Sequence, residues 1–158
     1  MTVMISPNPD KQLADVIAVR AAQILLNHGS HVLMREELQA SCNTMGVSYL
    51  PEKECLQQAD IILTIGGDGT ILHEANLTLE YKKPILGVNL GRCGFLATCE
   101  VDEMETKLAA VARGEYSLDS RMLLYARVLG EDNWKGHALN DVVVTCLLYT
   151  SPSPRDLS

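Results

Sequence analysis

Basic residues are scarce: 13 Lys and Arg stand against 20 Asp and Glu, for a formal net charge of −7. An acidic chain without a basic stripe lacks the electrostatic footprint for nucleic acid or for an anionic membrane surface. No apolar run approaches the roughly 20 residues of a membrane span. The opening, Met1-Thr2-Val3-Met4-Ile5-Ser6-Pro7, lacks both the cationic and the long apolar region of a secretory signal. The cytoplasm is therefore the default expectation. Cys-x-x-Cys is absent, and the five cysteines (Cys42, Cys55, Cys93, Cys99 and Cys146) are odd in number. Both facts argue against a disulfide framework and a tetrahedral zinc site. Internal repeats are also missing. What is present is an ordinary globular balance, 47% apolar and 21% charged, which excludes disorder for most of the chain. The 158 residues fit one domain, or one domain and part of a second.

Hydrophobic periodicity alternates between strand and helix. Val3 to Ser6 reads as a strand, followed by a Pro7-Asn8-Pro9-Asp10 turn with Asp10 as a helix N-cap. From Lys11 to Asn27, Leu13, Val16, Ile17, Ala21, Ile24 and Leu25 recur at helical spacing, and Gly29 suits the position just past the helix. His31 to Met34 is a short strand, Glu36 to Ser41 a helical turn, Gly46 to Pro51 an extended piece and Glu52 to Gln58 a short helix. Asp60 to Ile65 is a β-branched run ending in glycine, the pattern of a strand buried on both faces. A helix from Thr70 to about Tyr81 should turn Ile71, Leu72, Ala75 and Leu79 inward. Strand Ile85 to Val88, a glycine-rich loop from Asn89 to Thr98 and a helix from Val101 to Arg113, closed by Gly114, complete the α/β pattern. Such alternation predicts βαβ units and a parallel sheet over residues 1–115. Met122 to Leu129 and Ala138 to Thr145 then read as a hairpin opening a β-rich domain over 116–145.

Residues 146–158, CLLYTSPSPRDLS, break this periodicity. They resemble a translated sequencing-library adapter, so they are expected to be a non-native tail. The natural sequence is then expected to stop near Thr145, inside an apparent strand.

The strongest chemical signal is Gly66-Gly67-Asp68-Gly69-Thr70, between a buried strand and a helix. Ligands of open α/β sheets bind beyond the carboxyl ends of the strands, where this turn lies. Glycines let a phosphate approach the backbone, and free N–H groups at the helix start can bind its oxygens. Gly66, Gly67, Gly69 and Thr70 thus form a candidate phosphate loop, with Thr70 as a candidate N-cap. Asp68 could accept a proton from an attacking hydroxyl or help position Mg²⁺ between phosphates. The Gly-Lys-Ser/Thr ending of a Walker A loop is missing. So is the last glycine of the dinucleotide fingerprint, where Leu72 stands.

Three motifs in order resemble the NAD kinases. GGDGT at 66–70 is shared with lipid kinases of the diacylglycerol kinase type. Gly87-Val88-Asn89-Leu90-Gly91-Arg92-Cys93-Gly94-Phe95-Leu96 is similar to the family's GVNxGxLGFL, departing from it at Cys93. Ala138-Leu139-Asn140-Asp141-Val142-Val143 is similar to ALN(E/D)VV. The resemblance covers residues 1–145, roughly the first half of such an enzyme. It implies a Rossmann-like parallel sheet layer followed by the truncated start of an all-β C-terminal domain. The implied reaction is phosphoryl transfer from ATP or polyphosphate to the adenosine-ribose 2′-hydroxyl of NAD, giving NADP. Mg²⁺ or another divalent cation is implied with it, although no metal ligand is directly assignable. The complete enzyme is expected to form a homo-oligomer and to engage neither nucleic acid nor membrane.

By the same resemblance Asp68 is the catalytic proton acceptor, and Asp68, Gly69, His73, Phe95, Asn140 and Asp141 contact NAD. His73 reads equally as a solvated helix histidine and Phe95 equally as core, whereas Arg92 could contact phosphate but reads rather as a surface cation. A non-catalytic nucleotide-binding module of the same fold is the alternative, and an oxidoreductase a weaker third. The 158-residue chain by itself is expected to be inactive, with Val142 to Val144 exposed.

Overall fold

The computed structural model describes residues 1–91, 95–130, 135–139 and 141–143. The chain divides into two compact units, Met1–Arg121 and Met122–Ser158.

The first unit is an α/β layer. Its strands are β1 (Thr2–Pro7), β2 (His31–Arg35), β3 (Val47–Leu50), β4 (Ile61–Gly66), β5 (Ile85–Asn89) and β6 (Cys99–Glu100). They form one sheet in the order β3-β2-β1-β4-β5-β6, and every pairing in it is parallel. The helices are α1 (Ala14–Asn27), α2 (Glu52–Gln58), α3 (Asp68–Leu77) and α4 (Met104–Ala112), with a 3₁₀ turn at Glu36–Gln39.

Strand alternation sorts the core into two sides. Val3 and Ile5 of β1 and Ile61, Leu63 and Ile65 of β4 pack with Ala18, Ala21 and Leu25 of α1 and Met104 and Leu108 of α4. Met4, Leu33 and Ile62, on the opposite face, pack with Cys55 and Leu56 of α2. All six residues of β4 are buried, as its β-branched composition requires of an interior parallel strand.

Several local expectations are corrected. Asp10 does not cap α1. Its backbone N–H bonds Asn8 Oδ1, and turn bonds from Lys11 N to Asn8 O and from Ala14 N to Lys11 O delay the helix until Ala14. Leu13 and Val16 consequently point to solvent, at 68% and 62% exposure. Helix α3 starts two residues earlier than expected and ends at Leu77, with Thr78 as its C-cap, so Lys82 and Lys83 lie beyond it. Its buried residues are Ile71 and Glu74, while Leu72, Ala75 and Leu79 are half-buried. Helix α4 starts at Met104, because Cys99–Glu100 is spent as a sixth strand against β5.

The second unit contains an antiparallel pair, β7 (Leu124–Arg127) and β8 (Lys135–Ala138). The hairpin is present, but its second strand precedes the expected Ala138 to Thr145. Pairing runs from Leu124 opposite Ala138 to Arg127 opposite Lys135, so the second strand ends where the expected one begins. Tyr125 and His137 face each other with ring centroids 5.1 Å apart. Val142 and Val143 are exposed, as expected. The tail 146–158 lies outside the described residues.

Candidate functional site at the switch point of the sheet

Connections from β1 run outward to β2, and those from β4 run the other way to β5. This divergence leaves a crevice beyond the carboxyl ends of β1 and β4, the place where open α/β sheets bind ligands. Both flanking segments are described. Ser6, Pro7, Asn8, Pro9 and Asp10 come from the end of β1 and its turn. Gly69, Thr70, His73 and Glu74 come from α3, and Arg35 from the end of β2. Together they line a cleft of about 380 Å³.

Hydrogen bonds stitch the two sides together. Asn8 N donates to Ile65 O at 2.9 Å, and Asn8 Nδ2 donates to Thr70 Oγ1 at 2.9 Å. Ser6 Oγ donates to the buried carboxylate of Glu74. Thr70 is the third residue of α3 and not its N-cap. Gly67 holds that place in extended conformation, and its N–H reaches Thr70 Oγ1 at 3.4 Å. Gly66 is required by space, because a Cβ there would stand 2.2 Å from Thr70 Oγ1 and 2.9 Å from Thr70 Cβ. Gly69 is different: nothing lies within 4 Å of where its Cβ would be.

Asp68 is the first residue of α3, where helix N–H groups have no partner within the helix and a carboxylate is favoured. Its side chain reaches the loop after β5. Oδ2 accepts from Phe95 N at 2.8 Å, and Oδ1 accepts from Leu96 N at 3.0 Å and Ala97 N at 3.2 Å. These amides, Phe95 N–H foremost, hold the Asp68 carboxyl below its ordinary range, so it is anionic at neutral pH. The depressed value means the clamp is complete above the ordinary carboxylate range and is lost as pH falls through the lowered one.

Of the residues singled out from sequence, Gly69, Thr70 and His73 share the cleft, with His73 exposed. Asp68 is not among its lining residues and meets the Phe95–Ala97 backbone instead. Phe95 is 94% exposed, so it is not core. Asp141 is exposed and lies outside any strand, whereas Asn140 and Arg92 lie outside the described residues. Ser6, Asn8, Arg35 and Glu74 were not picked out from sequence. For Glu74 a signal existed: it interrupts the inward stripe of α3 with a carboxylate.

Asn89, in the second motif, is buried and donates to Glu100 Oε1 at 3.1 Å, while its Oδ1 accepts from Gly91 N. Cys42, Cys55 and Cys99 are free and buried, and burial raises all three thiols, Cys99 to about 11. Protonated buried thiols are inert, which fits their reading as core.

The 3-2-1-4-5-6 sheet with a glycine-rich strand-to-helix turn at its switch point defines an open α/β domain of the Rossmann-like class. Comparison with known proteins narrows this. The family model of the ATP-NAD kinase N-terminal domain matches residues 3–116. The chain belongs to the NAD kinase family. It is 36% identical over 135 residues to an NAD kinase of Azotobacter vinelandii, covering 84% of this chain and 45% of that protein. It is 35% identical over 149 residues to one of Caldanaerobacter subterraneus subsp. tengcongensis, covering 90% and 51%. The chain thus spans about half the length of the curated relatives it matches. A solved yeast NADH kinase, complexed with NADH, superposes with a TM-score of 0.73 at 21% identity, over 89% of this chain and 44% of that one. That likeness confirms the fold. No described helix is long and apolar enough to cross a membrane.

Proposed function

We propose that this chain carries the α/β half of an NAD kinase, which transfers the terminal phosphoryl group of ATP to the adenosine-ribose 2′-hydroxyl of NAD. The observation that carries the reading is the placement of Asp68. It is an anionic carboxylate at the start of α3, beyond the carboxyl end of a fully buried strand, in a chain of this family. In this reading Asp68 accepts the hydrogen of the ribose hydroxyl as its oxygen attacks the phosphorus, and the phosphorus–oxygen bond to ADP breaks. A carboxylate held low is a weak base, so its main contribution is orientation of that hydroxyl, with the proton leaving late. The Phe95–Ala97 amides fix the carboxylate and join the glycine-rich turn to the loop bearing the exposed Phe95 ring, a surface on which NAD could stack. Gly69, His73, Asn140 and Asp141 complete the NAD contacts in the same proposal.

Among the described residues no group of three or more His, Cys, Asp or Glu side chains is placed to hold a metal. A divalent cation entering with ATP would therefore take its ligands chiefly from phosphate oxygens and water, as Mg²⁺ commonly does. A cytoplasmic location, homo-oligomeric assembly and division into 1–115, 116–145 and a non-native 146–158 belong to the same proposal.

The test is NADP formation by the chain extended to family length. Asp68→Asn keeps the shape and removes the anion, and turnover should fall on the order of 10²-fold or more. Binding of NAD should change far less. Turnover equal to the parent would remove Asp68 from the chemistry.

A further inference from the structure

Helix α3 carries Asp68, yet little apolar burial holds it on the sheet. Ile71 is its one buried apolar residue, against six in α1. Among the described residues neither core cluster contains a residue of α3. The helix rests on β4 and β5, with Ile71 seated on Gly87, where a Cβ would stand 2.3 Å from Ile71 Cδ1. One apolar side chain makes a pivot. It sets how close the helix lies, not how far the helix is turned about its own axis.

Two bonds from the end of β1 supply what the pivot lacks. Asn8 Nδ2 donates to Thr70 Oγ1 at 2.9 Å, and Ser6 Oγ donates to Glu74 Oε1. Thr70 and Glu74, four apart, share one side of the helix. At 3.6 residues per turn they lie roughly 120–160° round the helix from Asp68. A rotation of about 20° carries a side-chain tip, about 5–6 Å from the axis, through about 2 Å. The bonds that Asp68 accepts from Phe95 N, Leu96 N and Ala97 N, at 2.8, 3.0 and 3.2 Å, would not survive such a turn.

Glu74 is the unexpected member of this set. It is 3% exposed and Ser6 is 1% exposed. Ser6 is the one hydrogen-bond partner of its side chain among the described residues. A carboxyl group buried against a single hydroxyl adds little net stability, because desolvation offsets the bond. An apolar pair of the same shape would hold the place at least as well. What the Ser6–Glu74 bond adds is direction.

We propose that Glu74, bonded to Ser6, is a positioning residue that sets the rotation of α3 and so aims the Asp68 carboxylate. The proposal rests on the phosphotransfer reading for what Asp68 does in the reaction, but not for where Asp68 is held.

The first experiment follows the amides of Phe95, Leu96 and Ala97 by NMR through the acid titration of Asp68 in the 158-residue chain. In the parent they should report a midpoint below the ordinary carboxylate range. Glu74→Met fills the space without an acceptor, and the midpoint should rise towards the ordinary value as the amide bonds loosen. Ser6→Ala, a smaller change, should move it in the same direction. Loss of a nearby carboxylate would by itself lower that midpoint, so a rise reads position. Glu74→Gln removes the ionisable group but keeps an acceptor oxygen, and should keep the parent midpoint.

The second experiment measures NADP formation by the family-length chain. Glu74→Met should lower kcat at least about tenfold, as misplacement by about 1 Å does, with KM for NAD within about threefold. Glu74→Gln should stay within about threefold of the parent kcat. Ser6→Ala combined with Glu74→Met leaves no buried hydroxyl unpaired. The pair should unfold in denaturant no earlier than Glu74→Met alone, yet be no more active. An unmoved Asp68 midpoint in Glu74→Met and Ser6→Ala, equal loss in Glu74→Gln and Glu74→Met, or parent turnover in the double variant would each overturn the proposal. If the family-length parent made no NADP while the midpoint rose in Glu74→Met and held in Glu74→Gln, the phosphotransfer reading would fail and the positioning of Asp68 would stand.

Discussion

Strand β4 and strand β7 are both short and both rich in large apolar residues, yet they exist under opposite conditions. Every residue of Ile61–Gly66 is buried, flanked by β1 and β5 and covered on both faces by packed side chains. In Leu124–Arg127, Leu124 is 41% exposed and Tyr125 57%, and Leu123, Val128 and Leu129 beside them are exposed too. Apolar content alone therefore does not make a core. A strand becomes core when its neighbours in sequence supply helices long enough to cover both faces, as the βαβ units around β4 do. Among the described residues β7 and β8 pair only with each other, and a two-stranded pair by itself is marginal in water.

The sharpest way to break this contrast is amide hydrogen exchange. Amides of Ile62 to Ile65 should open only with the whole first unit. Their protection should exceed that of Leu124 to Arg127 on the order of 10³-fold, given ordinary domain stability. Equal protection would mean that the hairpin is as well covered as the sheet.

Truncation should separate the regions next. Ile62→Ala removes a fully buried side chain and should destabilise the first unit by about 2–5 kcal/mol, measured by denaturant unfolding. Leu124→Ala, in the exposed strand, should stay within about 0.5 kcal/mol, as surface substitutions do.

The smallest effect sharpens the comparison inside the first unit. Gly66→Ala drives a Cβ onto Thr70 and should cost about 1–3 kcal/mol through overpacking. Gly69→Ala meets open space in the first turn of α3 and should be neutral or slightly stabilising. A loss of nucleotide binding in Gly69→Ala with stability intact would then report ligand approach alone.

The parts legible in sequence were those that local chemistry fixes. The buried strand at 61–65, the α1 and α2 helices, the glycine turn and the hairpin could be read from periodicity and turn residues. The ends of elements were less legible, because they depend on hydrogen bonds to distant partners. Asp10 fails as a cap since Asn8 binds its amide, and two-residue β6 exists only because β5 offers an edge. A two-residue strand carries no period of its own.

The same division runs through the site. The sequence by itself determined the Gly66–Thr70 turn, the presence of a carboxylate in it and the family to which that turn points, since five contiguous residues carry their own backbone geometry. Only the tertiary structure decided that Asn8 would reach Thr70 across 62 positions, that Ser6 would meet Glu74 across 68, and that the Asp68 carboxylate would face the Phe95–Ala97 amides. The first two contacts arise because the sheet order sets β1 beside β4, and the third because it sets β5 on the other side of β4. Strand order is a property of how βαβ units cross over and pack, and no local run of residues encodes it.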